Sequence, residues 1–251
     1  MALGRSARHP FLDHPGPLPF AHRGGAGDWP ENTMPAFQGA VDLGFRYLET
    51  DVHATADGVL VAFHDDDLSR TCGRPGLISE LPWSEVATAR VDGKEPIPRF
   101  DELMDAFPEC RVNVDCKSDS AVEPLIEALR RPGVLDRVCV GGFSLRRLKR
   151  LRSAAGPGLC SSMSPWEVAR WRIGLPARTP FAAQVPVTQG PLPVVTARSV
   201  ASAHRHGLQV HVWTIDDPAE MLRLLELGVD GIMTDRPAVL KEVLLARGEW
   251  A

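Results

Sequence analysis

Short apolar runs with strand character alternate with helical stretches along almost the whole chain, and this alternation restricts the fold most. Strands are predicted at 20–22, 46–52, 111–117, 137–143, 159–161, 181–185, 209–215 and 229–234. Helices are predicted at 35–43, 100–107, 122–131, 145–155, 197–206, 218–227 and 237–246, with a further helix after the fifth strand near Trp166 and Trp171. Repeated βα units build a parallel sheet. About eight strands within 251 residues suit a closed (β/α)8 barrel better than an open sheet.

One stretch breaks the rhythm. Residues 54–99 hold Asp57-Gly58, Gly73, Pro75, Gly76, Pro82, Pro96 and Pro98. That density of turn formers, in a segment longer than an ordinary βα loop, reads as a small insertion after the second strand on the catalytic face. Residues 1–17 read as a loose N-terminal arm, leaving 18–251 as one domain. No apolar run follows Arg5 and Arg8, so the arm lacks the pattern of a secretory signal. No run approaches transmembrane length, which argues against stable membrane insertion. Cys72, Cys110, Cys116, Cys139 and Cys160 form no C-x-x-C pair and are odd in number, which favours reduced, buried thiols over a disulfide framework. The expected compartment is the cytoplasm. A net charge of −4 argues against nucleic acid as a partner, but a pocket on an acidic protein can still be locally positive.

Strand alternation sorts the polar residues. Along 111–117, Val112 and Val114 share one face while Asn113, Asp115 and Lys117 share the other. Buried parallel strands normally read as continuous apolar runs, so three polar residues on one face call for a reason, and lining a barrel mouth is one. By the same alternation His211 and Trp213 face the lumen, and Glu49 and Asp51 point together. His22, Glu49, Asp51, Asp115, Lys117, Trp213 and Asp235 all fall at predicted carboxyl ends of strands, the rim that carries catalysis in such barrels. The first quarter of the chain adds His22-Arg23-Gly24, Pro30-Glu31-Asn32-Thr33, Asp57-Gly58 and His64-Asp65. Histidines can move protons at neutral pH, paired carboxylates can hold a hard divalent cation, and an arginine can grip phosphate oxygens. Together these are the parts for metal-assisted cleavage of a phosphate ester.

These residues resemble the glycerophosphodiester phosphodiesterase family. The likeness continues through Asp115-x-Lys117, Phe143-Ser144, Trp213-Thr214 and Gly228-x-Asp230-Gly231-Ile232-x-Thr234-Asp235-x-Pro237, in order over nearly the whole chain. It implies a TIM barrel with an insertion after the second strand. It also implies hydrolysis of a small-molecule glycerophosphodiester to glycerol 3-phosphate and an alcohol, with a bound divalent cation, Mg²⁺ or Ca²⁺. Carried over by position, His22 and His64 are the acid–base pair. Glu49, Asp51 and Asp115 are the metal ligands, and Arg23 and Lys117 the phosphate contacts. Two residues depart from the family pattern. Asp115 stands where a glutamate is usual, one methylene shorter, and Asp216 where an asparagine is common.

Plain structural roles compete for several positions. Asp235-x-Pro237 reads as a helix N-terminal cap followed by a first-turn proline, and Asn32 as a cap for the first helix. Trp213 serves as barrel filling or as a contact for the glycerol carbons. The arginine-rich helix at 145–155 reads as a solvated face. Trp166 and Trp171 read as packing residues, with a lid or lipid-contacting patch as the alternative. The runner-up activity is a lysophospholipid or sphingolipid phosphodiesterase or lyase releasing a cyclic phosphate. A non-catalytic barrel that binds metal or glycerophosphate comes third. No serine or cysteine stands in a nucleophile setting, which favours attack by the substrate's own C2 hydroxyl, with direct water attack as the other route.

Overall fold

The computed structural model describes residues 9–175 and 179–251. Eight parallel strands form the sheet: β1 (Leu18–Ala21), β2 (Tyr47–Ala54), β3 (Arg111–Cys116), β4 (Val138–Gly141), β5 (Cys160–Ser161), β6 (Ala182–Val185), β7 (Gln209–Val212) and β8 (Gly231–Thr234). They are hydrogen-bonded in the order β5-β4-β3-β2-β1-β8-β7-β6. A parallel bridge between Ser162 and Ala182 joins the two ends, so the sheet closes into the expected (β/α)8 barrel. The surrounding helices are α1 (Met34–Asp42), α2 (Phe100–Ala106), α3 (Val122–Leu129), α4 (Leu145–Ala155), α5 (Pro165–Arg172), α6 (Ala197–Arg205), α7 (Pro218–Glu226) and α8 (Pro237–Arg247). Local sequence starts them. Thr33, Ser144 and Ser164 each accept a backbone N–H at a helix entrance, satisfying a donor the helix itself cannot. Thr33, not Asn32, is therefore the cap of α1.

Val112, Val114 and Cys116 of β3 enter the large core between sheet and helices. Asn113, on the opposite face, accepts from Gln184 Nε2 at 2.7 Å. Gln184 also meets His211 Nδ1 at 3.3 Å, and the other ring nitrogen lies 3.0 Å from Gln209 Oε1. The lumen is thus a packed polar layer over an apolar floor of Phe11, Leu12, Leu18, Phe20, Tyr47 and Met233.

That floor corrects the reading of residues 1–17 as loose. From His9 onward the segment packs under the barrel, while residues 1–8 lie outside the described residues. Phe11 and Leu12 are buried. Tyr47 Oη donates to Phe11 O at 2.9 Å, Gln209 Nε2 to Leu12 O at 3.2 Å, and an Arg111 Nη1 to Asp13 O at 2.7 Å. Without this plug the lower rings of Phe20 and Tyr47 would meet water. Burying a Phe side chain contributes about 1.5–3 kcal/mol.

Burial pushes the pKa of His211 down to about 4. The folded state thus resists a proton that the unfolded chain accepts near 6.5. The sign follows: this contribution to stability is intact above pH 6.5 and is lost as pH falls toward 4. The expected loss is about 3 kcal/mol, from about 1.4 kcal/mol per pH unit. Denaturant titrations between pH 7 and 4 should show a shallower acid slope in His211→Gln than in the parent, and parallel slopes would refute the assignment.

The insertion is a compact unit. Leu60–Ala62 folds back antiparallel on the end of β2. Val61, Phe63, Leu68, Ile78, Val86, Ala89, Val91 and Ile97 form a separate small core beneath it. Among the described residues no helix is long and apolar enough to cross a membrane. All five cysteines are free, four of them buried.

Candidate active site

His22 stands at the mouth because β1 stops one residue before it. His22–Gly24 makes a single tight turn with Arg23 at φ 51°, a conformation disfavoured for a residue with a Cβ. The neighbours hold it there. Arg23 N–H donates to Glu49 Oε2 at 2.9 Å, and Asn32 N–H donates to Arg23 O at 2.9 Å.

Glu49 and Asp51 are two residues apart on β2, so both enter the lumen, and both are buried. Asp51 pairs in register with Asp115 of β3. Lys117 follows directly after β3, and its Nζ spans the two carboxylates, 2.9 Å from Asp51 Oδ1 and 2.8 Å from Asp115 Oδ2. His64 arrives by another route. The antiparallel return from the Asp57-Gly58 turn lets Phe63 N–H donate to Asp51 O at 2.9 Å, which delivers the next residue to the same mouth. Trp213 and the exposed Phe143 meet edge to face at 6.1 Å, with Lys117 Nζ 5.7 Å from the Phe143 ring. They give the mouth one apolar wall. The structure therefore brings all eight expected site residues to one end of the barrel.

Both histidines are braced by a carboxylate. His22 Nδ1 lies 2.7 Å from Asp235 Oδ1, and His64 Nδ1 lies 2.6 Å from Asp65 Oδ1. With Nδ1 engaged, each ring keeps Nε2 for a reacting group. The reading of Asp235 as a helix cap is corrected: Arg236 occupies the cap of α8, and Asp235 orients His22. The reading of Asn32 changes as well. At φ 54° its side chain donates to Asp51 Oδ2 at 3.1 Å and accepts from Thr50 Oγ1 at 2.8 Å. Arg70 is a member of the site that sequence reasoning missed. It pairs with Glu31 and Asp65 at 2.6 and 2.5 Å, linking the insertion to the Pro-Glu-Asn-Thr loop. The motif around Asp235 already held the signal for that residue. Nothing local marks Arg70.

The electrostatics follow from burial and pairing. Burial, then the charge of Asp51, pushes the Glu49 carboxyl above the usual carboxylate range. Burial works against the protonated His22 ring, but Glu49 and the Asp235 bond outweigh it and raise its pKa. Burial likewise opposes the charge on Asp65, yet bonds from Arg70 and His64 bring it down to about 2. For Lys117, burial is overcome by Asp51 and Asp115, so the ammonium is held charged.

Among the described residues no three His, Cys, Asp or Glu side chains already close on one cation position. The convergence of Glu49, Asp51 and Asp115 expected from the strands is interrupted by Lys117, which spans Asp51 and Asp115. The donor set nonetheless fits a hard divalent cation. All three side chains offer carboxylate oxygens, Asp115 Oδ1 is buried with no hydrogen-bond partner, and Glu49 is driven toward protonation by its burial and then by the charge of Asp51.

A positioning role for Asp235 has a measurable consequence. Asp235→Asn should lower kcat by part of the roughly 10²–10⁴-fold that a general acid or base supplies. It should also displace the pH–rate limb that belongs to His22. An unchanged pH profile with reduced kcat would reduce Asp235 to a structural role.

A closed barrel with two braced histidines, a cation-ready carboxylate cluster and basic side chains at its C-terminal mouth defines a phosphodiester-cleaving hydrolase. Residues 22–239 match the model of the glycerophosphoryl diester phosphodiesterase family. A Mycobacterium tuberculosis protein named "Probable glycerophosphodiester phosphodiesterase 2" is 41% identical over 267 residues, covering 100% of this chain and 99% of its own length. The crystal structure of glycerophosphodiester phosphodiesterase from Agrobacterium tumefaciens superposes with a TM-score of 0.77 at 25% identity, covering 89% of this chain and 99% of that one. An Oleispira antarctica phosphodiesterase, solved in complex with the product sn-glycerol-3-phosphate, shares the fold with a TM-score of 0.78 at 23% identity, covering 91% and 97%. The chain belongs to the glycerophosphoryl diester phosphodiesterase family.

Proposed function

We propose that this protein hydrolyses glycerophosphodiesters to glycerol 3-phosphate and an alcohol, with His22 and His64 as the acid–base pair. The observation that carries the reading is the pair of carboxylate-braced histidines beside one buried carboxylate cluster. The product bound to the Oleispira antarctica relative supports the choice of substrate. Lys117 uses two of its three donors on Asp51 and Asp115, which leaves one for a phosphate oxygen. Arg23, whose guanidinium is held at the mouth by Asp51 and Glu31 at 3.3 and 3.1 Å, serves as the second phosphate contact. Preorganised cations of this kind favour the charge that grows on phosphorus in the transition state. Glu49, Asp51 and Asp115 would hold a Mg²⁺ or Ca²⁺ ion, which supplies Lewis-acid neutralisation of the phosphate when bound. One histidine takes the proton from the attacking hydroxyl and the other protonates the leaving alcohol. Trp213 and Phe143 pack against the glycerol carbons. Free, mostly buried thiols suit a reducing compartment such as the cytoplasm.

Phosphorus NMR of products from glycerophosphocholine, glycerophosphoethanolamine and a lysophospholipid tests the assignment. Glycerol 3-phosphate from the first two supports it. Release of choline phosphate, or no turnover, overturns it.

We assign the attacking group to the substrate's own C2 hydroxyl, because intramolecular attack gains strongly from proximity. A 2-O-methyl glycerophosphodiester should then bind at similar strength and turn over very slowly. Brief incubations with true substrate should show a transient cyclic phosphate, which water then opens to glycerol 3-phosphate, one histidine taking the water's proton and the other returning a proton to the C2 oxygen. Hydrolysis of the methylated analogue at a rate near that of the parent would mean that water attacks directly.

A further inference from the structure

The outer surface around α5 has a character the catalytic mouth does not explain. Trp166 and Ile173 are 61% and 75% exposed. Trp166 lies in the first turn of α5 and Ile173 is the residue that caps its C-terminal end, with the exposed Arg170 between them in sequence. Leu175 and Leu192 are exposed as well, Leu192 at 67%. Arg172 ties the two segments together, donating to Val194 O at 3.2 Å and Pro193 O at 2.9 Å. Trp171, by contrast, is buried and packs into the core. Contiguous exposed apolar side chains on a soluble protein mark a contact surface.

Charge points to the partner. No Asp or Glu occurs anywhere in residues 168–215, while that stretch carries five arginines in a chain of net charge −4. Arg170, Arg172, Arg198 and Arg205 are exposed. A cleft of about 410 Å³ opens between α5 and α6, lined by Trp171, Arg172, Arg198, Ser199, Ser202 and Arg205 among others. Trp171 Nε1 is buried there with no hydrogen-bond partner. Guanidinium groups, hydroxyls and an indole N–H are donors suited to an anionic head group. A second copy of the chain would set arginine against arginine.

We propose that the α5–α6 face docks on an anionic lipid surface, with Trp166, Ile173, Leu175 and Leu192 entering the interface and the arginines gripping lipid phosphates. An indole at a membrane surface buries its ring while its N–H stays hydrogen-bonded. α5 begins three residues after Ser162 at the β5–β6 seam, so Trp166 stands on the same rim as the exposed Phe143. Docking by this face would bring the mouth near the bilayer. The binding does not depend on the phosphodiesterase reading.

The test is co-sedimentation of the full chain with vesicles of phosphatidylcholine, alone or mixed with phosphatidylglycerol. Binding should require the anionic lipid and weaken steeply with salt. Each arginine near a charged bilayer contributes about fivefold, so the triple variant Arg170→Ala, Arg198→Ala, Arg205→Ala should bind roughly 100-fold more weakly. Trp166→Ser with Ile173→Ser, which leaves the charge unchanged, should also lose binding. Every variant should keep the parent's turnover of a water-soluble glycerophosphodiester, which shows that it has folded. No sedimentation with anionic vesicles at low salt would overturn the proposal, as would equal binding by parent and variants. Self-association of the parent that the Trp166 and Ile173 changes abolish, without vesicle binding, would overturn it in favour of an interface between copies.

Discussion

Replacing either His22 or His64 by alanine is expected to lower kcat by about two to four orders of magnitude, the span a general acid or base supplies. The fold should survive each change. His22 sits in a turn just past β1, and His64 lies in the insertion loop, partly exposed. As the proposed acid–base pair the two would act as one unit, so the double variant should lose far less than the product of the single losses. Steady-state kinetics on glycerophosphocholine, with circular dichroism as the control for folding, measures this. A variant that folds and turns over near the parental rate would take its histidine out of the mechanism. The carboxylate braces sharpen the expectation. Because Asp235 and Asp65 engage Nδ1 of the two rings, the lost function is proton transfer at Nε2. Imidazole added to the alanine variants should therefore restore part of the rate.

Removal of divalent cations with EDTA should abolish activity, and Mg²⁺ or Ca²⁺ should restore it. The motive is an excess of buried carboxylate: Glu49 is raised toward protonation, and Asp115 Oδ1 has no partner. Calorimetric titration of the metal into the demetallated protein gives a readout independent of turnover. Glu49→Gln and Asp51→Asn should weaken that titration. Asp115→Glu, which restores the longer side chain usual in the family, should keep a working site with altered affinity. Full activity in thoroughly demetallated protein would remove Glu49, Asp51 and Asp115 as ligands.

The sequence alone determined the barrel and most of its mouth, because both rest on short-range regularities. Alternation along β3 places Asn113 and Asp115 opposite Val112 and Val114 whatever the rest of the chain does. Spacing of two does the same for Glu49 and Asp51. Strand ends set the rim, so His22, Lys117 and Trp213 fall there by position in the sequence. Only the tertiary structure decided who holds whom. Asp235 bonds His22 across 213 residues of chain because β1 and β8 are neighbours in the closed sheet. Read locally, an acidic residue just ahead of a proline looks like a helix cap. Arg70 bridges Glu31 to Asp65 only because the insertion folds back over the mouth. His9 to Asp13 become a plug rather than a loose arm because the lumen's lower rings need a cover. A five-residue segment carries no periodicity that could announce this. Likewise, Trp166 and Trp171 are five residues apart in sequence, yet one faces solvent and the other the core. Local pattern specifies which way a side chain points, and barrel closure decides what it meets there.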